Sequence, residues 1–245
     1  MLAEMLRGKT AVISDANRAG AARWAMNNLN SEVFILDDGF QHLRIARDLD
    51  IVTVDAMNPW GGGHLLPRGT LREPLAGLRR ADCLVITRAD QSKLDPDFLR
   101  AEASRLSGGR PVFLSRTKLS RVRPLFSREA DEDRDINAIA QPIAAFCAIG
   151  NPLAFFKQLG DGGIEPAHTR AFPDHHVYTQ REIDTLSAEA RARGAQALVT
   201  TAKDAVKLRS LRFTLPCYVL EIEIVFDEPD GLLDLLRKAS KKALG

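Results

Sequence analysis

Residues 33–42 have the sequence VFILDDGFQH, an apolar run followed directly by two aspartates and then by Gly-Phe-Gln-His. An apolar strand that delivers an aspartate at its carboxyl end is the Walker B arrangement, in which the carboxylate holds the Mg²⁺ that bridges nucleotide phosphates. Open α/β sheets also bind ligands at that edge. The alternative is that residues 37–39 form an ordinary turn after a strand. Gln41 and His42 favour the Mg²⁺ site over an ordinary turn, because an ordinary turn needs neither an amide nor an imidazole side chain.

The apolar run is one of several short β-branched segments that alternate with helical patterns in the first half of the chain. This alternation is typical of βαβ units in a largely parallel sheet, so the predicted fold class is α/β. The predicted strands are Thr10–Ile13, Val33–Leu36, Ile51–Val54, Leu84–Thr87 and Val112–Leu114. The predicted helices are Asn17–Leu29 and Pro96–Leu106, the second with Asp95 as N-cap and proline at the first helical position.

A second α/β unit follows the charged stretch Ser127–Asp135, SREADEDRD, which is the best candidate for a boundary. Strands are predicted at Arg121–Phe126, Ile143–Ile149, Ala197–Thr201 and Tyr218–Val225. Helices are predicted from Pro152 to Gly160, from a Thr179/Glu182 capping box to Gly194, and over Gly231–Lys242. The predicted domains are a core of residues 1–120, a linker of residues 121–142 and a second domain of residues 143–245, whose last helix returns to the core.

The composition of the 245 residues, with 45% hydrophobic and 27% charged side chains, is typical of a globular protein. Lys and Arg number 34 against 32 Asp and Glu, and a net charge of +2 does not predict nucleic-acid binding. The three cysteines share no C-x-x-C spacing and predict buried thiols in a reducing compartment. No run approaches the ~20 apolar residues that span a bilayer, and no signal peptide is present. We therefore expect a cytoplasmic chain.

Six segments together resemble the tetraacyldisaccharide 4'-kinase family in order and spacing. They are DDGFQH (37–42), RDLDIVTVDA (47–56), GGGHLLPRGTLREPL (61–75), FCAIGNPLAFF (146–156), FPDHHVYT (172–179) and VTTAKDAVKL (199–208). The resemblance implies a P-loop-kinase-like core joined to a smaller α/β domain by a two-stranded linker. It also implies transfer of the γ-phosphate of ATP, with Mg²⁺, to the 4' hydroxyl of an acylated glucosamine disaccharide 1-phosphate, a lipid A precursor. The implied location is the cytoplasmic face of the bacterial inner membrane, with the membrane surface as a partner and no protein partner evident.

The resemblance also implies roles for eight residues. Catalysis falls to Asp38 and His175, Mg²⁺ binding to Asp37 and Asp38, nucleotide contact to Asp37, Gln41 and His42, and substrate contact to Arg72, Glu73 and His176. Arginine suits phosphate oxygens because its planar fork donates two hydrogen bonds. A histidine could help deprotonate the attacking sugar hydroxyl.

Each of these assignments has a structural alternative. Arg72 and Glu73 could form a surface ion pair beside a turn, and His175 and His176 could be a satisfied structural pair or a helix entry. The glycines at 61–63 fit no G-x-x-x-x-G-K-[ST] pattern and receive no phosphate-binding role. In the segment Thr200–Asp204, Ala202 stands where the family has Glu, so any role of that carboxylate is lost.

Family members place a membrane-inserting helix, a G-K-T phosphate loop and a G-D-E-P segment ahead of the region where this sequence starts. Gly8-Lys9-Thr10 does not replace the loop, because position 3 is alanine and a predicted strand follows instead of a helix. The loop amides and lysine supply most of the charge stabilisation in phosphoryl transfer. We therefore expect an N-terminally truncated kinase core, lacking its first strand and helix, with little or no kinase activity by itself.

Two further functions stay open. One is a metal-dependent phosphoesterase that uses carboxylate and imidazole ligands around two cations. Its candidate ligands are Asp37, Asp38, His42, Asp55, His175 and His176. The other is a non-catalytic nucleotide-binding module.

Overall fold

The computed structural model describes residue 6 and residues 8–126 and 135–243. Most of the charged stretch predicted as a boundary, residues 127–134, lies outside the described residues. The helices are α1 (Arg18–Leu29), α2 (Pro96–Ser107), α3 (Pro152–Asp161), α4 (Gln180–Ala192), α5 (Ala202–Leu208) and α6 (Pro229–Ala243). The strands are β1 (Ile51–Asp55), β2 (Cys83–Thr87), β3 (Val112–Pro124), β4 (Ile143–Cys147), β5 (His168–Ala171), β6 (Ala197–Thr201) and β7 (Cys217–Phe226).

The chain divides into two compact units. The first, which we call the Asp37 unit, comprises Val12–Thr117 and Ile224–Gly245. The second, the His175 unit, comprises Lys118–Glu223 with Met1–Ala11. Strands β3 and β7 each contribute residues to both units, and α6 belongs to the Asp37 unit. The domain boundaries predicted from the sequence stay a prediction.

In the Asp37 unit, β1, β2 and β3 are parallel neighbours, with Ile51 opposite Cys83 and Leu84 opposite Val112. Helix α2 packs on this sheet through Leu99 and Ala103, which are completely buried. Asp95 is the N-cap of α2, as predicted, since its carboxylate accepts hydrogen bonds from the backbone N–H groups of residues 97 and 98. The carboxyl ends of β1 and β2 therefore meet at one edge of a buried sheet.

In the His175 unit, β4 lies between β5 and β6, and β6 pairs with β7; all three pairings are parallel. Two hydrophobic clusters cover the strands, one of them built around Phe146, Ile183 and Leu198. The capping box predicted at the start of α4 is present, with Thr179 and Glu182 each bonded to the other's backbone N–H. The loops after β4, β5 and β6 thus leave the same edge of this sheet.

Strands β3 and β7 run antiparallel. In the His175 unit the N–H of Leu125 donates to the carbonyl of Cys217 at 2.8 Å, and in the Asp37 unit the N–H of Asp227 donates to the carbonyl of Leu114 at 3.1 Å. The predicted fold class, a mostly parallel α/β sheet with a two-stranded connection, is confirmed.

Several local predictions were wrong. Within the described residues, Thr10–Ile13 and Val33–Leu36 belong to no strand. Apolar β-branched residues favour extended backbone, but a strand also needs a paired neighbour, and the side chain of Ile35 is 95% exposed. The two predicted strands at 112–114 and 121–126 are one strand, β3. Helix α3 continues through Gly160 and is capped by Gly162.

Across residues 8–126 and 135–243, none of the helices combines the length and apolarity that crossing a bilayer requires.

Candidate active site

The DDGFQH segment forms a tight turn in the Asp37 unit. Asp38 has a left-handed backbone with φ of 51°, and the N–H of His42 donates to the carbonyl of Gly39 at 2.9 Å. A Cβ on Gly39 would lie 2.7 Å from the Cβ of Leu36, closer than real side chains approach, so this position requires glycine. Asp37 and Asp38 are both exposed. The turn therefore presents two neighbouring carboxylates to solvent.

Arginines from distant parts of the unit hold this turn. Arg72 Nη1 donates to Asp38 Oδ2 at 2.7 Å, and Arg18 Nη1 donates to the carbonyl oxygen of Asp37 at 2.7 Å. The Arg72 and Asp38 side chains are 61% and 65% exposed, so their ion pair adds little stability and serves mainly to place the two groups. The structure therefore brings together two of the predicted site residues that lie far apart in the sequence.

Glu73 reaches the same turn through Arg80. Its carboxylate lies 2.8 Å from Arg80 Nη1, and the Arg80 guanidinium covers the ring of Phe40 with its carbon 4.5 Å from the ring centroid. The hydrogen bond with Glu73 raises the pKa of Arg80 above its ordinary value. A Cβ on Gly77 would lie 2.7 Å from the Glu73 carboxylate, so this glycine makes room for the ion pair. Arg80 was not predicted, since nothing in the pattern of residues 75–80 marks it.

The glycine-rich loop before Arg72 is fixed by its own backbone. Leu65 and Leu71 form an isolated bridge, and the N–H of Leu71 donates to the carbonyl of His64 at 3.2 Å. A Cβ on Gly69 would lie 2.2 Å from the carbonyl oxygen of His64, so only glycine lets these segments cross. The loop thus sets the position of the Arg72 backbone.

A third ion pair lies where β1 and β2 end. Arg88 follows β2 in a left-handed conformation with φ of 58°, and both Asp55 oxygens accept hydrogen bonds from its guanidinium, the Nε bond measuring 3.0 Å. This pair was missed, although the ends of parallel neighbouring strands suggest such proximity. Asp55 is therefore engaged by a cation.

The Asp174-His175-His176 segment lies in the His175 unit. His176 is held among other side chains, because its ring stacks on Phe172 at 5.0 Å and its Nε2 lies 3.0 Å from Glu182. Hydrogen bonds, first from the backbone N–H of Thr179, lower the pKa of Glu182 to about 2. The His175 imidazole, by contrast, is 78% exposed.

Asp174 is paired with a lysine from a later loop. Lys203 donates to Asp174 at 2.8 Å, and this hydrogen bond is the main cause that lowers the pKa of Asp174. Lys203 lies in the family-like segment VTTAKDAVKL, and no role was predicted for it.

The carboxylates suit a metal ion that is shared with a nucleotide. Among the described residues no group of three or more His, Cys, Asp and Glu side chains could hold a metal by itself. Mg²⁺ is usually bound by one or two carboxylates together with substrate phosphates and water, instead of by an all-protein cage. The neighbouring Asp37 and Asp38 fit that requirement, whereas a two-metal site needs more ligands.

Comparisons with known proteins agree on one family. A family model described as Tetraacyldisaccharide-1-P 4'-kinase matches residues 1–241. The chain is 41% identical over 232 residues to a protein named tetraacyldisaccharide 4'-kinase from Anaeromyxobacter sp. strain Fw109-5, covering 93% of this chain and 61% of that protein. It is 36% identical over 256 residues to the protein of that name from Halothermothrix orenii, covering 98% and 65%.

A solved structure is also similar. The crystal structure of LpxK from Aquifex aeolicus in complex with ATP superposes with a TM-score of 0.69 at 27% sequence identity, covering 92% of this chain and 63% of that one. The chain thus spans less than two thirds of the length of these relatives.

Proposed function

We propose that this chain, which belongs to the tetraacyldisaccharide-1-P 4'-kinase family, supplies the metal-facing and substrate-facing residues for ATP-dependent phosphorylation of a tetraacylated glucosamine disaccharide at its 4' hydroxyl. The observation that carries the proposal is the turn at Asp37 and Asp38, which is held by Arg72 and braced by the Glu73–Arg80 pair. Neighbouring carboxylates that can hold Mg²⁺ and an arginine that can donate to phosphate oxygens are side chains that a site for a metal-bound nucleotide uses.

Asp37 and Asp38 would hold Mg²⁺, which when bound neutralises charge on the nucleotide phosphates. Gln41 and His42, which leave the same turn, would contact the nucleotide. The Arg72 guanidinium is paired with the Asp38 carboxylate, and the Arg72 side chain is 61% exposed. Its remaining N–H groups can therefore donate to a phosphate oxygen of a ligand. These residues position charge, which is most of what a phosphoryl-transfer site does.

His175 would accept the proton of the attacking sugar hydroxyl, and Asp38 is proposed as a second catalytic residue. Its exposed ring is available for such contact, whereas His176 is engaged by Phe172 and Glu182. We assign His176, with Arg72 and Glu73, to substrate binding. The expected partner is the acylated disaccharide 1-phosphate in lipid A biosynthesis, met at the cytoplasmic face of the bacterial inner membrane.

The phosphoesterase alternative finds less support. Among the described residues no cluster of three metal-ligating side chains exists, and Asp55 is bound by Arg88. A non-catalytic nucleotide-binding module would use the same turn. It would differ from a kinase only in that no phosphate is transferred.

The first test is equilibrium dialysis of ATP with the chain, with and without Mg²⁺. We expect saturable binding that requires Mg²⁺ and that Asp37→Asn and Arg72→Met weaken by about 10- to 100-fold. Asp161→Asn is the matched control, because Asp161 is an exposed carboxylate in α3 that pairs only loosely with Lys157 at 3.8 Å. A folded wild-type chain that binds no ATP with Mg²⁺ would contradict the proposal.

Transfer of phosphate is measured separately from binding of ATP. The chain is incubated with γ-labelled ATP, Mg²⁺ and the disaccharide, and the lipid product is counted. A kinase should put label on the 4' position, and His175→Asn should abolish that labelling. A non-catalytic nucleotide-binding module should give no labelled lipid.

A further inference from the structure

His175 occupies a strained position in a tight turn of the His175 unit. The N–H of His176 donates to the carbonyl of Pro173 at 3.1 Å, which closes a four-residue turn with His175 at its third position. The φ of His175 is 61°, a left-handed value that glycine and asparagine adopt more readily than histidine. Such a conformation persists only where the surroundings hold the backbone in place.

Contacts on both sides fix the turn and leave the His175 ring free of the core. On one side His176 stacks on Phe172 and bonds to Glu182. On the other side, Asp174 Oδ1 accepts the backbone N–H of His175 at 2.9 Å. The second oxygen, Oδ2, lies 3.7 Å from His175 Nε2. The orientation of the Asp174 carboxylate therefore bears on both the backbone and the ring of His175.

Lys203 is hydrogen-bonded to the Asp174 carboxylate. Its ammonium donates at 2.8 Å to Asp174 Oδ1, the same oxygen that accepts the His175 N–H. The two donors together fix how the carboxylate is rotated, since a carboxylate oxygen can accept more than one hydrogen bond.

The backbone that carries Lys203 is rigid. Lys203 is the second residue of α5, whose first turn is capped by the Thr201 hydroxyl, which accepts the N–H of Asp204 at 3.2 Å. The completely buried Asp204 in turn accepts the N–H of Ala148 at 2.9 Å, which ties this turn to the end of β4. The lysine thus projects from a fixed point of the sheet edge.

We propose that Lys203 is a positioning residue that orients His175 through the Asp174 carboxylate. The inference rests on the proposed function, in which His175 meets the attacking hydroxyl. A surface ion pair without this role would add little to stability and would leave the imidazole unaffected. A positioning role and a plain surface ion pair therefore differ in whether removing the Lys203 ammonium changes the surroundings of the His175 imidazole.

The test compares Lys203→Met, Lys203→Arg and Asp174→Asn, with Lys157→Met as the control. Lys157 lies in the same unit and faces an exposed carboxylate in α3. The ring C–H signals of His175 are recorded by NMR on the whole chain, and circular dichroism checks that each variant folds. We expect the His175 signals to shift or broaden in Lys203→Met and Asp174→Asn, and to stay near wild type in Lys203→Arg and Lys157→Met. His175 signals in Lys203→Met that match the wild type would overturn the inference.

A kinetic measurement separates this inference from the proposed function. Where the wild-type chain transfers phosphate, Lys203→Met should lower kcat by about 10- to 100-fold, with KM for ATP nearly unchanged, and Lys203→Arg should restore most of kcat. Equal loss of kcat in Lys203→Arg and Lys203→Met would count against positioning by the cation. A wild-type chain that neither binds ATP nor transfers phosphate contradicts the proposed function, and the NMR comparison still decides the role of Lys203.

Discussion

Replacing Asp204 with alanine should weaken the edge of the sheet that carries Lys203. The Asp204 side chain is completely buried, and its Oδ2 accepts hydrogen bonds from the Ala148 N–H at 2.9 Å and from the Thr201 hydroxyl at 2.8 Å. Its Oδ1 lies 3.4 Å from the Lys207 ammonium. One carboxylate therefore joins the residue after β4 to the turn between β6 and α5.

The expected cost follows from these contacts. The alanine variant leaves the buried N–H of Ala148 without its acceptor, which costs about 1–3 kcal/mol. Lys207 is partly exposed, so loss of its contact with Asp204 adds only about 0–1 kcal/mol, and the two effects overlap because they share one carboxylate. We therefore expect the free energy of unfolding to fall by about 1–4 kcal/mol, which at this chain length lowers Tm by roughly 2–16 °C. Asp204→Asn keeps an acceptor for Ala148 and should lose less.

Urea unfolding followed by circular dichroism measures the change. The control is Asp161→Ala, which removes an exposed carboxylate 3.8 Å from Lys157 and should cost about 0–1 kcal/mol. An Asp204→Ala variant as stable as this control would refute the reasoning that the buried carboxylate holds the sheet edge.

Three further predictions use other parts of the chain. Gly160→Ala should raise the free energy of unfolding by about 0.5–1 kcal/mol, because Gly160 is inside α3 and a Cβ there meets no atom within 4 Å; an unchanged urea midpoint would contradict this. Hydrogen bonds from Thr179 lower the pKa of Glu182 from 4.5 to about 2, so its stabilising contribution is complete above pH 4.5 and is lost as the pH falls through about 2. Glu182→Gln should flatten the dependence of the urea midpoint on pH across that window, and a slope like that of the wild type would show that another group dominates. Burial raises the pKa of Cys83 to about 11 and of Cys147 to about 12, and all three thiols are buried, so a thiol reagent at pH 8 should label the unfolded chain and leave the native chain unlabelled.

Features that depend on local chemistry could be predicted from the sequence. The starts of α2 and α4 were predicted because Asp95 and the Thr179/Glu182 pair act on backbone groups within three residues of themselves. Helix α5 was not predicted because it has only seven residues, although Thr201 and Asp204 have the S/T-x-x-D spacing that is typical of a helix start. Strand β5, with only four residues at the edge of its sheet, gave too short a pattern to recognise.

Features that depend on a distant partner could not be predicted in the same way. The residues of Val33–Leu36 have the right propensity for a strand, but propensity does not say whether another backbone will pair with them. In the same way, the sequence predicts that Asp38 is a candidate carboxylate, whereas its pairing with Arg72, 34 residues away, follows only from the path of the loop between them. The sequence therefore indicates the chemical type of the site, and the fold determines which side chains support it.

Left-handed backbone conformations at residues other than glycine mark some of the candidate site residues independently of their side-chain chemistry. Among the described residues, four that are not glycine have positive φ: Asn30, Asp38, Arg88 and His175. Asn30 caps α1, where a left-handed residue is ordinary. The other three lie in turns or loops, and two of them are the catalytic candidates chosen from the sequence. Each of the three is bound to an oppositely charged partner or adjoins a residue that is: Arg72 for Asp38, Asp55 for Arg88, and Lys203 through Asp174 for His175. A left-handed φ at a residue other than glycine costs on the order of 1–3 kcal/mol and clusters at functional sites, so its occurrence at Asp38 and His175 supports the choice of these two residues as candidates.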